Sequence, residues 1–184
     1  SGIPYFEDVA TGYKIQQGGL FNTTPRYYFG DENANSASGS EAGDFLFGGG
    51  GNDTLTPGKG NDHLEGGIGN DTYVINFGDG IDTIYDADGT GILNVDTVVV
   101  RGRSAVADGK NWIKLGNAWI DLENQLRYLL IEEQNGSQSL LIHPTSSGNG
   151  TQVTIKGWKD GDMGITMGGN TDPHCTHSQP HYQR

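Results

Sequence analysis

Positive charge is scarce: 11 Lys and Arg stand against 23 Asp and Glu, for a formal net charge of -12. That balance disfavours a polyanionic partner and excludes the basic footprint of a nucleic-acid binder. Cysteine is nearly absent, and the lone Cys175 can form no internal disulfide. Proline occurs only 6 times, which fits neither a proline-rich linker nor collagen. No apolar run approaches the roughly 20 residues of a membrane span. The start, Ser1-Gly2-Ile3-Pro4-Tyr5-Phe6-Glu7-Asp8, lacks the basic and then apolar order of a secretory signal. Large aliphatic and Phe residues supply only 39 of the 184 positions, just above the level at which strong net charge favours disorder. Something besides an ordinary core must help this chain fold.

Glycine is abundant, with 31 residues, and it is concentrated: 13 of them fall between residues 39 and 80. That stretch contains four nonapeptides in register, beginning at Gly39, Gly48, Pro57 and Gly66 (GSEAGDFLF, GGGGNDTLT, PGKGNDHLE and GGIGNDTYV). Asp44, Asp53, Asp62 and Asp71 occupy the sixth places, and Leu46, Leu55, Leu64 and Tyr73 the eighth. A flexible linker has no reason to hold two columns in step. An altered fifth unit follows, with Asp79, Asp82 and Ile84.

The nonapeptide has a physical reading. Six residues make a turn and three make a strand too short to bury a core alone, so strands must stack about 4.8 Å apart and share an interior. Two units form one coil. Units one and three then stack on one face and units two and four on the other, which pairs Leu46 with Leu64 and Leu55 with Tyr73. The same stacking sets Asp44 near Asp62 and Asp53 near Asp71, a repulsive arrangement unless a cation intervenes. Gly48, Gly49, Gly51, Gly58, Gly60, Gly66, Gly67 and Gly69 can take positive φ and aim backbone carbonyls at such an ion. Six to eight hard oxygen ligands in flexible geometry suit calcium; magnesium demands stricter geometry, and zinc would want more than His63. The expected metal ligands are those glycines with Asp44, Asp53, Asp62, Asp71, Asp79 and Asp82.

The units GGGGNDTLT and GGIGNDTYV resemble the hemolysin-type RTX repeat G-G-x-G-x-D-x-U-x. The segment Tyr73 to Ile84 is similar to the end of many such arrays, and Gly150 to Trp158 to the β segment that follows them. The resemblance implies an all-β protein with a parallel β-roll of calcium-binding repeats flanked by antiparallel strands. It also implies a secreted, extracellular bacterial protein exported by a type I secretion apparatus, in which the roll serves the rest of the parent polypeptide, a toxin, hydrolase or adhesin. Ser40, Ala42 and Pro57 depart from the pattern. The end, His181-Tyr182-Gln183-Arg184, is unlike the uncleaved export signal of the family, so the chain reads as an excised piece, with Ser1-Gly2 as a cloning remnant.

Four regions are expected: N-terminal strands and a polar loop at 1–38, the roll at 39–84, an antiparallel β cap at 85–170 and a tail at 171–184. Strands are expected at Asp96–Val100, Tyr128–Ile131, Ser139–Ile142 and Gln152–Lys156, with Asn135-Gly136 as a hairpin turn. One short helix is expected at 119–127. Asp86-Ala87-Asp88-Gly89 reads as a solvated turn, since its glycine comes too early for an EF-hand loop. His174, Cys175, His177 and His181 crowd the tail, although H-C-x-H matches no zinc pattern. Nucleophile-elbow, H-E-x-x-H and Walker motifs do not occur. Neighbouring Glu132 and Glu133 would point to opposite faces of a strand and could not flank one glycosidic bond. Part of a lipase or polysaccharide-modifying enzyme, or an adhesin ligand-binding module, is the alternative function.

Overall fold

The computed structural model describes residues 5–15, 23–102, 112–146 and 150–167. The first strands among them are β1 (Tyr5–Asp8), β2 (Tyr13–Ile15), β3 (Arg26–Phe29), β4 (Ser36–Ser38), β5 (Phe45–Gly50) and β6 (Thr54–Thr56). Next come β7 (His63–Ile68), β8 (Asp71–Ile75), β9 (Ile81–Tyr85), β10 (Gly91–Val95) and β11 (Val98–Val99). The last are β12 (Trp112–Leu115), β13 (Ala118–Asp121), β14 (Leu126–Glu132), β15 (Gln138–Pro144) and β16 (Gln152–Lys156).

Two sheets result, because each nonapeptide has room for one short strand before the next turn reverses the chain. The larger runs β12-β13-β14-β15-β16-β9-β7-β5-β3-β1-β2 and the smaller β11-β10-β8-β6-β4. From β1 to β16 the larger sheet is parallel through β3, β5, β7 and β9, and the smaller is parallel from β4 to β10. This is the parallel β-roll. Leu46 pairs with Leu64 in one sheet and Leu55 with Tyr73 in the other, as the period-nine stacking requires. Alternation along each strand turns every eighth-place side chain inward, where Leu46, Leu55, Leu64 and Tyr73 are fully buried. The outward places of the larger sheet also stack in register, Tyr27 on Phe45 at 5.0 Å and Phe29 on Phe47 at 4.9 Å between ring centroids.

Stacking begins ahead of residue 39. β3 and β4 lie on the roll, with Tyr28 opposite Leu46 and Ala37 opposite Leu55, so part of the expected polar loop is a strand. Beyond the repeats, β10 and β16 are parallel to β8 and β9 rather than members of a purely antiparallel cap. Antiparallel pairing there joins β10 to β11 and builds the meander from β12 to β16, whose β14–β15 hairpin turns at Asn135-Gly136 as expected.

Two local expectations are corrected. Residues 119–127 form no helix: β13 ends at Asp121, whose carboxylate accepts the backbone N–H groups of Glu123 and Asn124 and so turns the chain into β14. An aspartate that captures the following N–H groups competes with a helix and favours a reversal. The strand expected at 96–100 is cut by a tight turn, with Asp96 at φ 56°, so that Val95 pairs with Val98 in a short hairpin. The tail with its histidines and Cys175 lies outside the described residues.

Candidate metal centre

The turns of the roll line up in two columns, one along each edge. In the first, the segments 30–35, 48–53 and 66–71 lie in order, followed by 86–91; in the second lie 39–44, 57–62 and 77–82, followed by the entry to β16. Backbone N–H groups tie successive sixth places together. In the first column Asn35 N donates to Asp53 Oδ1 at 2.7 Å and Asp53 N to Asp71 Oδ1 at 2.8 Å. In the second, Arg26 N donates to Asp44 Oδ1 at 2.6 Å, Asp44 N to Asp62 Oδ1 at 2.7 Å and Asp62 N to Asp82 Oδ1 at 3.1 Å. Each aspartate thus spends one oxygen holding the neighbouring coil.

The other oxygen is the informative one. Asp53, Asp62, Asp71 and Asp82 are at most 3% exposed, and the Oδ2 atom of each is buried without a hydrogen-bond partner. An unpaired buried polar atom is costly, and an unpaired buried charge more so. Burial is the largest influence on all four carboxyls and pushes their pKa values upward, opposed by the backbone N–H bonds they accept. Like charge adds to the shift, from Asp82 and Asp44 on Asp62 and from Asp53 on Asp71.

The surrounding backbone permits close stacking of these turns. A Cβ on Gly67, whose φ is 103°, would fall on the carbonyl oxygen of Gly49, and one on Gly69 would fall on that of Gly51. Carbonyl-rich turns therefore lie against one another with no side chain between them. Among the described residues no three His, Cys, Asp or Glu side chains converge as a metal cluster, so a cation here depends on carboxylate oxygens supplemented by backbone carbonyls. That donor set fits calcium and not zinc.

The sequence-derived residues divide. Asp53, Asp62, Asp71 and Asp82 stand together in the columns with Gly48, Gly49, Gly51, Gly58, Gly60, Gly66, Gly67 and Gly69 in their turns. Asp79 stands apart, its Oδ2 accepting the backbone N–H of Asn76 at 2.6 Å and the side-chain amide at 3.1 Å. Asp44 is in the column, but both its oxygens are already hydrogen-bonded.

Sequence reasoning passed over Asn35 and Ala37, which lie nine positions before Asp44 and Leu46 and extend the same frame. Asp86, read from the sequence as part of a solvated turn, is half-buried in the structure. Its Oδ2 accepts the buried hydroxyl of Tyr73 at 2.8 Å, that hydroxyl accepts Gly66 N at 2.9 Å, and Asp86 Oδ1 accepts Gly89 N at 2.8 Å. Burial pushes the Asp86 carboxyl up to about 6. The aromatic eighth place of the fourth unit was the available signal, since a buried phenol usually finds a partner. Glu133 is ion-paired with Lys156 at 2.6 Å and accepts Ser139 Oγ at 2.6 Å.

Comparison with known proteins agrees with the geometry. Residues 29–63 and 38–73 match the family model of the RTX calcium-binding nonapeptide repeat, with four copies. Searches of curated proteins and of solved structures gave no significant match. The repeats that residues 29–73 stack in these two columns are RTX calcium-binding nonapeptide repeats.

Proposed function

We propose that the chain is a calcium-operated folding module of a larger exported bacterial protein, open where calcium is scarce and closed once it meets calcium outside the cell. The observation that carries this reading is the set of four buried carboxylate oxygens without partners, on Asp53, Asp62, Asp71 and Asp82. Without a cation these groups must be protonated or must repel one another, and either condition opposes closing the roll near neutral pH. When bound, calcium supplies the missing positive charge. Asp53, Asp62, Asp71 and Asp82 would hold it together with carbonyls of the glycine turns, and because those ligands are assembled only in the folded chain, binding is linked to folding.

Export by a type I apparatus and service to a secreted toxin, hydrolase or adhesin extend the same reading. A net charge of -12 keeps an open chain soluble and attracts divalent cations. Far-ultraviolet circular dichroism in chelator and then in millimolar calcium tests the core of the proposal. A gain of β signal with a midpoint of about 0.1 to 1 mM, the range of extracellular calcium modules, is the expected result. An unchanged spectrum would refute calcium-driven folding. A midpoint below about 1 μM would leave folding intact and refute the export role, because the roll would close before leaving the cell.

A further inference from the structure

The turns of the roll are of two kinds, and the difference lies in a single peptide plane. In 48–53, 57–62, 66–71 and 77–82 the second place is glycine: Gly49, Gly58, Gly67 and Gly78 have φ of 103, 83, 103 and 91°. In 30–35 and 39–44 the second place is Asp31 or Ser40, and neither takes positive φ. A side chain with a Cβ is held off that region by about 1–2 kcal/mol. The φ angle of the second residue sets where its own N–H points relative to the rest of the turn.

The consequence is visible at the sixth place. Asp31 N donates to Asn35 Oδ1 at 2.8 Å, and Ser40 N donates to Asp44 Oδ2. Ser40 Oγ adds a bond to Asp44 Oδ1 at 2.9 Å, beside the one from Arg26 N. In the four glycine turns no such donor reaches the aspartate, and Oδ2 is left bare. Asp44 is as deeply buried as the others, with 0% exposure, so burial does not separate the two kinds.

We infer that the second-place residue decides whether a turn recruits a cation. Glycine turns its N–H away and leaves the sixth-place carboxylate to a metal; a residue with a side chain closes the turn with its own N–H. Asp44, although in frame with the repeat, is then not a metal ligand. The turns 30–35 and 39–44 form a cap at the start of the roll that needs no ion. This inference rests on the calcium reading above and adds which turns do and do not take the ion.

Calcium titration calorimetry on the whole chain separates the two claims. Asp44→Asn should leave the number of bound calcium ions unchanged, since asparagine already serves the sixth place of turn 30–35. Asp53→Asn should lose a site. The double change Ser40→Gly with Ala42→Gly, which gives turn 39–44 the glycines of its neighbours, should gain one site. Loss of a site in Asp44→Asn would overturn the inference. So would an unchanged count in a double variant whose dichroism shows it folded; if that variant fails to fold, the Asp44→Asn count alone decides. Absence of calcium binding in the unaltered chain would instead refute the calcium reading itself.

Discussion

The roll and the meander share one sheet, yet they satisfy their buried polar groups differently. In the meander, β14 and β15 pair along seven residues each, burying Leu126, Tyr128, Leu140 and Ile142, and the turn between them closes on its own backbone through Glu133 N to Ser137 O at 2.8 Å. The chain supplies what that hairpin needs. In the roll a coil contributes little more than one apolar side chain per strand, such as Leu46, Leu55 or Leu64, and buries aspartates beside it. Its strands pair in register, whereas four aspartate oxygens at its turns are buried without a hydrogen-bond partner. The comparison teaches that a repeat too short to build its own core can still fold if part of its electrostatic balance comes from solution.

Removing the ion should separate the two regions most sharply. In chelator, amide hydrogen exchange should lose its protection across β5 to β9, while the β14–β15 hairpin retains more. Equal loss in both would show that they fold as one cooperative unit and would end the contrast. Core truncation comes next. Leu64→Ala in the roll and Leu140→Ala in the meander should each cost about 2–5 kcal/mol in saturating calcium, but only the first should also raise the calcium midpoint of folding. Matching midpoints in the two variants would break the distinction.

Proton dependence should be smaller and of a definite sign. The buried aspartates have folded pKa values raised above those of the unfolded chain, so their contribution to the ion-free fold is full below the ordinary carboxylate range and is lost as pH rises through the raised values. Asp86, moved from 3.8 to about 6, marks part of that window. Melting in chelator should therefore occur at a higher temperature near pH 5 than near pH 8, with protons standing in for calcium, and the reverse order would contradict the burial argument. The least effect is expected at Lys156. Its pair with Glu133 is partly exposed, and Lys156→Ala should leave both the melting temperature and the calcium midpoint nearly unmoved.

The roll was legible because its constraint is periodic. A nine-residue frame fixes which side chains meet, so the pairs Leu46–Leu64 and Leu55–Tyr73 and the aspartate columns could be read before any coordinates. Its beginning was harder to read, because Asn35 and Ala37 keep the frame while losing the residue types that advertise it. The meander shows the opposite limit. Tyr128–Ile131 and Ser139–Ile142 were readable as apolar runs flanking Asn135-Gly136, whereas 119–127 was misjudged as helical because the deciding interaction is one Asp121 carboxylate capturing two N–H groups. Asp44 shares the column position of the other aspartates, but position alone shows nothing of the Ser40 N–H that its carboxylate accepts.

The strand β16 also sets an order of events in time. Neighbouring turns within a column are joined by hydrogen bonds between residues 18 positions apart, as from Asp44 to Asp62, whereas Gly78 N reaches Thr151 Oγ1 across 73 positions. About two doublings of loop length add only about 1.2 kcal/mol of closure entropy, a minor charge against equilibrium stability. Rates are more sensitive, since distant pairings slow the search for the native topology. The seam between β9 and β16 should therefore close last, in a chain whose coils have already stacked on one another.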